Sequence, residues 1–163
     1  MEVIGYKCFN KGLKNRYGRK FSIGQIYIMP GIIKFGNNGN GFHLCKNIED
    51  TFRYFDTFNN EVDVCLVKGS GQIHESYDEY NGYYDMYCAE KMEILKQLNR
   101  SEIINVGLNL HPIRANRFIS TFKLTPGEIN LFKEKYKNEF DVIDATAYYQ
   151  EGDKQVYERK YSK

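Results

Sequence analysis

The chain has 163 residues, of which 42% are hydrophobic and 15% aromatic, and its formal net charge is +2 at pH 7. That length suffices for one domain with a hydrophobic core, and the aromatic content argues against a disordered chain. The small net charge gives little reason to expect a nucleic-acid-binding protein. No apolar run approaches about 18 residues, so we also expect no membrane span.

Cysteine usage indicates a reducing compartment. The four cysteines are far apart in the sequence, and three of them lie beside hydrophobic residues. No signal-peptide pattern follows Met1, so we expect free thiols in the core rather than disulfides. These observations predict a cytoplasmic protein. The cysteines are Cys8, Cys45, Cys65 and Cys88.

The N-terminal part of the chain predicts short strands separated by turns. A basic, polar loop follows the first strand at residues 11–20, and Pro30-Gly31 marks a later turn. The glycine- and asparagine-rich run 36–41 tolerates positive φ angles. Strands are predicted at residues 3–10, 25–29, 32–35 and 42–45.

Residues 39–55 organise the predicted fold, because a glycine turn, a short strand and an amphipathic helix follow one another there. Asn47 is a suitable N-cap for a helix over 47–55, and Glu49 and Asp50 place negative charge in its first turn. Apolar side chains then recur at i, i+4 and i+7, and we expect this helix face to dock on a sheet that contains the next strand, 61–68. The face consists of Ile48, Phe52 and Phe55.

The C-terminal half predicts further strands and two more helices. Gly69-Ser70-Gly71 is predicted to end the strand 61–68. Residues 74–87, with Asn81-Gly82 at their centre, could form a hairpin, but we predict a long exposed loop. Two capping-box patterns, Asn99 with Glu102 and Thr125 with Glu128, open helices, and Gly107 stops the first of them. Alternating apolar residues predict strands at 88–95, 118–124, 140–149 and 154–161.

The resulting fold class is α+β, with mostly antiparallel sheet and three short-to-medium helices. Residues 1–110 are predicted to form a core α+β domain. Residues 111–163 are predicted to form a strand, helix and hairpin extension that packs on this core, and the two segments together also fit a single domain.

Residues that could carry catalysis or bind a metal are few. His43 and Cys45 are one residue apart, and His74 and Cys88 could join them, but zinc sites usually show two closely spaced ligand pairs. Cys45 is the one cysteine near a histidine, although side chains two apart on a strand seldom align for proton transfer. We therefore expect no metal and no cofactor. Glu90 and Glu93 should face opposite sides of their strand.

The chain resembles an uncharacterised family of small phage and prophage proteins. The resemblance rests on Gly5-Tyr6-Lys7-Cys8-Phe9-Asn10, on Gly41-Phe42-His43-Leu44-Cys45 and on the segment 88–95. It covers roughly the first two-thirds of the chain, and the glycine–Phe–His block is its most specific part. It implies an origin in a mobile element, with no known activity.

A fainter resemblance is to the ADP-ribosyltransferase fold, in the glycine–strand–helix–strand block that begins at Gly39. It implies that His43 takes the place of a tyrosine that stacks on the nicotinamide of NAD, and that Glu90 takes the place of the catalytic glutamate. Lys7 stands near the family's first-strand histidine or arginine, and lysine lacks the donor fork of arginine and the acceptor nitrogen of histidine. The resemblance thus implies a related core whose NAD site is reshaped or lost.

Two functions follow from these observations. The first is a cytoplasmic phage or mobile-element protein that binds and occludes a host protein, such as a component of bacterial immunity, in an anti-CRISPR or other anti-defence role. Its contact surface would be the tyrosine-dense segment with acidic neighbours, since aromatic side chains often anchor interfaces; the same segment also fits an exposed loop without a role. Its candidate contact residues are Tyr77, Asp78, Glu79, Tyr80, Tyr83 and Tyr84.

The second function is an ADP-ribosyltransferase-like enzyme that uses NAD to modify a host macromolecule. Here His43 would position the nicotinamide, and Glu90 would orient the ribose as charge develops in the transition state. Nucleic-acid binding through residues 11–20 is the least favoured hypothesis, given the small net charge. The sequence indicates neither a membrane partner nor an oligomeric state.

Overall fold

The computed structural model of the protein describes residues 1–35, 39–76 and 85–139. Every pairing between two of its strands is antiparallel in this part of the chain, so the α+β prediction with antiparallel sheet is confirmed. The strands are β1 (Glu2–Asn10), β2 (Ile26–Ile28), β3 (Phe42–Cys45), β4 (Val62–Ser76) and β5 (Met86–Gln97).

The helices of the described residues number four, one more than predicted. Helix α1 continues into a 3₁₀ turn, Phe52–Tyr54, and a second 3₁₀ turn, Lys137–Glu139, follows the last helix. None of these helices is long and apolar enough to cross a membrane. The helices are α1 (Ile48–Thr51), α2 (Arg100–Leu108), α3 (Pro112–Thr121) and α4 (Pro126–Lys135).

The strands form a sheet that closes on itself. One edge of β5 pairs with β4, and the other edge pairs first with β3 and then with β2. β4 pairs with β1 along the whole of β1, from Glu2 opposite Ser70 to Asn10 opposite Val62. Among the described residues, the ring is completed between β1 and β3 by one residue pair, Tyr6 opposite Cys45.

Gly5 permits this closure. A Cβ atom at residue 5 would lie 2.7 Å from the carbonyl oxygen of Cys45 and 3.2 Å from the Cβ of Leu44. A side chain there would therefore hold β1 away from β3. Beyond the Tyr6–Cys45 pair the two strands separate, and this leaves a gap between β1 and β3.

The two faces of the sheet belong to two hydrophobic clusters. The inner cluster fills the ring, and the outer cluster joins the sheet to all four helices. Because Phe52 and Val64 share the outer cluster and Phe55 packs at its edge, the predicted docking of this helix face on the sheet is confirmed. The inner cluster is Phe9, Phe21, Tyr27, Phe42, Leu44, Cys65, Val67, Ala89, Met92 and Ile94. Core members of the outer cluster include Cys8, Ile48, Phe52, Val64, Ile103, Phe118, Ile129 and Phe132.

The predicted helix over 47–55 is shorter and less regular than expected. Its α-helical part is four residues long, and the Asn47 side chain makes no capping hydrogen bond to the backbone. The amide of Asn47 instead donates to the Asp50 carboxylate at 3.1 Å. The helix therefore depends on packing rather than on its own cap.

The strand predicted at 118–124 is wrong, because residues 112–121 form α3. Phe118 and Phe122 fit an alternating strand pattern, but they also lie four residues apart, which is a helical spacing. Two start signals decide in favour of the helix: Pro112 at its first turn and the His111 ring, which accepts a hydrogen bond from the Ile113 amide.

Two further strand predictions need correction. Residues 32–35 form no strand and contribute only an isolated bridge between Lys34 and Asn40. The strand predicted at 61–68 does not end at Gly69-Ser70-Gly71 but continues to Ser76, and a register shift between Ser70 and Ile73 accommodates the glycines. The segment predicted as a loop, 74–87, accordingly contributes residues to β4 and β5.

Both capping boxes are confirmed, at Asn99 with Glu102 and at Thr125 with Glu128. Helix α2 ends at Leu108, one residue after the predicted stop at Gly107. Gly107 lies in the last turn of α2, where a Cβ atom would approach the rings of Phe118 and Phe132 to 2.8 Å. Gly107 therefore serves the close packing of α2 on α3 and α4.

The boundary proposed near residue 110 falls inside one hydrophobic cluster. Helices α3 and α4 lie beyond this boundary and share the outer cluster with Cys8 and Val64 of the sheet. The predicted strands at 140–149 and 154–161 lie outside the described residues, and so does the segment 77–84.

Candidate functional site

A cavity of about 440 Å³ opens at the gap between β1 and β3. One wall is β1, a second comprises β3 and the start of β5, and a third is the segment from α1 to the following turn. The loop after β1 contributes to its mouth. Its lining includes Tyr6, Lys7, Cys8, Phe9, His43, Cys45, Thr51, Tyr54, Phe55 and Met86.

Lys7 spans the gap between the two strands. Its Nζ donates a hydrogen bond to the carbonyl oxygen of His43 at 2.7 Å and lies 5.9 Å from the centroid of the Phe9 ring. Burial lowers the pKa of the Lys7 ammonium, because desolvation disfavours the charged form. Lys7 therefore supplies a polar group within largely apolar walls.

His43 is held in its neutral form. Burial is the main cause that lowers its pKa to about 4, the charge of Lys7 adds to the effect, and a hydrogen bond with the Gly41 backbone opposes it. The ring lies 5.5 Å from the ring of Phe35, edge to face. At pH 7 His43 is an uncharged imidazole that lines the cavity.

The cysteines at the cavity are protonated thiols. Burial raises the pKa values of Cys8 and Cys45 to about 12, and all four cysteines of the chain are buried and free. Thiolates, not thiols, act as nucleophiles. Cys45 near His43 is therefore poorly suited to nucleophilic catalysis, and these side chains act as apolar lining.

Glu90 lies away from this cavity. Its carboxylate accepts a hydrogen bond from the backbone amide of Gln72 at 2.9 Å, at the irregular part of β4. Glu93 pairs instead with Lys68, at 2.9 Å. Of the two residues proposed for an NAD site, the structure thus places His43 in the cavity and Glu90 at the β4–β5 irregularity.

Three of the four residues considered for zinc lie in one row across the sheet, whereas Cys45 stands opposite Met86. His43 on β3 and His74 on β4 both stand opposite Cys88 on β5. The Cys88 thiol donates to the carbonyl oxygen of Asn40 at 3.5 Å. Within the described ranges, no group of three or more His, Cys, Asp or Glu side chains is arranged to hold a metal ion.

A buried ion-pair network fixes the cavity wall formed by α1, and sequence reasoning missed it. The Glu49 side chain is fully buried; Arg114 contacts it through Nε at 2.6 Å and through a terminal nitrogen at 3.2 Å. Arg117 lies 3.5 Å from Glu49 and 3.4 Å from Asp50. Burial raises the pKa of Asp50. The arginines stand three residues apart, so the recognition of 112–121 as a helix would have placed them on one face.

The mouth of the cavity carries polar side chains that sequence reasoning grouped only as a basic loop. The Arg16 guanidinium lies 5.0 Å from the centroid of the Tyr17 ring, and both residues line the cavity. Lys11 of the same loop forms an exposed ion pair with Glu61 instead. The loop is therefore not one continuous basic surface.

The candidate contact residues Tyr77, Asp78, Glu79, Tyr80, Tyr83 and Tyr84 lie outside the described part of the chain. Their segment connects β4, which ends at Ser76, to β5, which begins at Met86. Met86 is itself part of the cavity lining. In sequence, the tyrosine-dense segment thus comes two residues before a residue of the cavity.

Comparisons with known proteins place the chain in a family without an assigned role. Neither the curated proteins nor the solved structures with which the chain was compared give a match. A family model described as a domain of unknown function, DUF7666, matches residues 3–106. This range contains β2 to β5, all of β1 except Glu2, α1 and most of α2, together with the lining of the cavity named above. Because the match covers more than half of the chain, the protein belongs to the DUF7666 family.

Proposed function

We propose that the protein is a non-catalytic binding protein that receives part of a partner molecule in the cavity between β1, β3 and α1. The observation that carries this proposal is the cavity itself, about 440 Å³ in volume, whose lining surface is mostly apolar although half of its lining residues are polar or charged. Concave sites of this size and composition are typical of ligand-binding and anchor-binding pockets.

The protonation states at the cavity support binding over catalysis. The thiols of Cys8 and Cys45 stay protonated, and His43 stays neutral, at pH 7. A neutral imidazole could accept a proton, but the cysteine thiols that line the cavity with it have raised rather than lowered pKa values, which makes them poor nucleophiles. Such a lining favours association with apolar and aromatic groups, which are common anchors at interfaces.

In the setting that the sequence resemblance implies, the bound partner is a host protein of a bacterium, and the protein acts from a phage or mobile element in its cytoplasm. Occlusion of a component of bacterial immunity would be an anti-defence function. The tyrosine-dense segment 77–84 would extend the contact beyond the cavity, since its chain leads directly to Asp85 and Met86. If Tyr80, Tyr83 and Tyr84 are replaced together by alanine, we expect weaker partner capture.

The cavity can be tested by filling its mouth. Asn10 is exposed and lines the cavity, so Asn10→Trp should block it. Affinity capture from a host lysate, read by mass spectrometry, should lose its specific partner with this variant. Asn105→Trp, on the exposed surface of α2, is the matched control and should retain the partner. Equal capture of the partner by the two variants would show that the cavity does not take part in partner binding.

The alternative function is that of an ADP-ribosyltransferase-like enzyme, and the position of His43 in the cavity is the observation in its favour. The other residues give it less support, because Glu90 is bonded to the Gln72 amide outside the cavity and Lys7 is no equivalent of a first-strand histidine or arginine. These residues do not fit an NAD site of that family. Incubation with labelled NAD and host lysate should give no label transfer; transfer that Glu90→Gln abolishes would reverse this ranking.

A further inference from the structure

Lys7 is the feature of the cavity that a purely apolar anchor site does not explain. A charged side chain that leaves water is normally paired with an opposite charge. Lys7 is half-buried, and burial lowers the pKa of its ammonium. Among the described residues Lys7 forms a hydrogen bond to a neutral carbonyl and no ion pair with a carboxylate.

We infer that the cavity binds a carboxylate carried on an aromatic or apolar body, and that the Lys7 ammonium is the partner of this carboxylate. The inference rests on the proposed function, because it names the chemical class of the group that the cavity receives. It adds a requirement for negative charge, which the proposed function does not include.

The donor inventory of Lys7 supports an anionic ligand. An ammonium group carries three N–H donors and no acceptor. One donor is used by the His43 carbonyl at 2.7 Å. Besides the contact with the Phe9 ring, the Lys7 ammonium makes no other hydrogen bond within the described residues, and Lys7 lines the cavity. A carboxylate oxygen would form a charge-assisted hydrogen bond with this ammonium, which is shorter and stronger than a neutral one.

The charges around the cavity agree with this choice. Arg16 at the mouth adds a second cation. The carboxylate of Asp56 also lines the cavity, but it already accepts hydrogen bonds from the Phe58 and Asn59 amides at 3.2 and 3.3 Å, and from the Asn59 side chain at 2.8 Å. His43 is neutral at pH 7. The lining thus carries two basic side chains, Lys7 and Arg16, and one carboxylate that already accepts hydrogen bonds within its own loop.

The remaining lining selects the body of the ligand. Tyr6, Phe9, Tyr54, Phe55 and Met86 present aromatic and thioether surfaces to the cavity. Aromatic rings associate with such surfaces through apolar burial and edge-to-face contacts. An arylalkyl carboxylate combines this body with the anion. The same chemistry occurs in a free small acid and at the C-terminus of a polypeptide that ends in phenylalanine.

The test compares an acid with its uncharged amide on the unmodified protein. 3-Phenylpropionate and 3-phenylpropanamide have the same aromatic body and differ in charge. Titration of each into ¹⁵N-labelled protein at pH 7, followed by NMR, gives both dissociation constants and the amides that shift. We expect the acid to bind about tenfold more tightly than the amide, with shifts at Lys7, His43 and Met86. Equal affinity for acid and amide, or no binding of either at about 10 mM, would contradict the inference.

Substitutions then test whether Lys7 causes the preference for the acid over the amide. Lys7→Met should reduce the ratio of acid to amide affinity to within about twofold, since the charge-assisted contact is lost. Lys11→Met removes an exposed lysine that is paired with Glu61 and should leave the ratio unchanged. A Lys7→Met protein that keeps the full preference overturns the role of Lys7. If Lys7→Met does not fold, the comparison of acid and amide on the unmodified protein still decides the inference.

A second pair of ligands distinguishes the two sources of the carboxylate. A hexapeptide that ends in phenylalanine with a free C-terminus is compared with its amidated form and with 3-phenylpropionate. Tighter binding of the free peptide than of the small acid indicates a polypeptide C-terminus, and the reverse order indicates a free acid; both support the inference. A failure of Asn10→Trp to affect partner capture would count against the proposed function and leave this acid preference intact, so the two proposals can fail separately.

Discussion

The Glu49 side chain is completely buried, and its carboxylate is neutralised by two arginines of another helix. Arg114 contacts both of its oxygens, and Arg117 reaches one of them at 3.5 Å. A buried charge that loses its partner is strongly destabilising, whereas an exposed pair contributes little. Glu49 therefore ties α1, and with it one wall of the cavity, to α3.

We predict that Arg114→Met lowers the free energy of unfolding by about 2–3 kcal/mol, less than the full loss of a buried pair because Arg117 still contacts Glu49. Urea unfolding followed by circular dichroism measures the change. Lys11→Met breaks the exposed pair with Glu61 and should leave this free energy nearly unchanged, because exposed ion pairs contribute little to stability. Equal effects of the two variants would mean that the buried network does not stabilise the fold.

His43 gives a pH dependence of known sign. Its pKa of about 4 in the folded protein lies below the ordinary 6.5, so the folded state disfavours the protonated ring. This contribution to stability is present above pH 6.5 and is lost as the pH falls towards 4. Allowing for partial exposure of the ring, the loss should be roughly 1–3 kcal/mol.

The measurement is urea unfolding at pH 7 and at pH 4.5 for the unmodified protein and for His43→Gln. The variant should lose less stability over this range, because glutamine does not titrate. The raised pKa of Asp50 acts in the opposite direction in both proteins, so the difference between them isolates His43. His74→Gln, at an exposed position of β4, is the control and should behave as the unmodified protein. An identical pH dependence for all three would refute the assignment.

Single residues were predictable from sequence to different degrees. The four cysteines are buried and free as expected, because their apolar neighbours already indicate the core. The roles of Glu49 and Asp50 were not predictable in the same way, since their partners stand on α3 about 65 positions away in the sequence. A long-range ion pair leaves no local pattern, and a helix-dipole explanation was the natural local one.

At the scale of single elements, the packing of α2 depends on a glycine, Gly107, at its contact with α3 and α4. Gly107 lies where a Cβ would approach the Phe118 and Phe132 rings to 2.8 Å. Gly127, in the first turn of α4, has no atom within 4 Å of the same position. The two helical glycines thus differ in packing, and they form a matched pair for substitution.

We predict opposite effects of alanine at these two glycines. Gly107→Ala should lower the free energy of unfolding by about 1–3 kcal/mol, because the methyl group overpacks the contact between three helices. Gly127→Ala should raise it by up to about 1 kcal/mol, since alanine restricts the unfolded chain and favours the helix. Thermal unfolding of both variants measures the difference. Stabilisation by both substitutions would show that the α2 contact tolerates a methyl group.

Helices and strands could be predicted from the sequence where they depend on residues close together in the chain, and not where they depend on contacts between distant residues. Both capping boxes use groups three residues apart, so the starts of α2 and α4 could be predicted from sequence. In α3, Phe118 and Phe122 satisfied two periodicities, and packing in the outer cluster decided between them. The end of β4 was mispredicted because the bulge depends on β5 as a partner. Glycines within a strand signal a bulge as readily as a strand end.

At the scale of the whole molecule, the outer cluster unites the sheet with helices from both sides of residue 110. Ala115, Phe118 and Ile119 of α3 are buried almost completely in it, next to side chains of β1 and β4. The family match ends at residue 106. The helices beyond it nevertheless cover apolar surface that belongs to the matched region.

We predict that a variant ending at Leu110 does not unfold cooperatively. Removal of α3 and α4 exposes Phe52, Ile103 and Val64 and deletes both arginines that pair with Glu49. Such a variant should bind a hydrophobic dye and lose the sharp urea transition. A variant ending at Glu139, which keeps both helices, is the control. A cooperative transition in the shorter variant would show that residues 1–110 fold by themselves.

The closure of the sheet by a single residue pair has a dynamic consequence. The long ladders of β4 with β1 and β5 hold many hydrogen bonds that break together, whereas β1 and β3 can part at Tyr6 and Cys45 without disturbing them. Local opening of the β1–β3 pair would admit a ligand to the cavity while the rest of the protein stays folded. Native-state hydrogen exchange should therefore find faster exchange for the amides of β3 that face β1 than for those between β4 and β5.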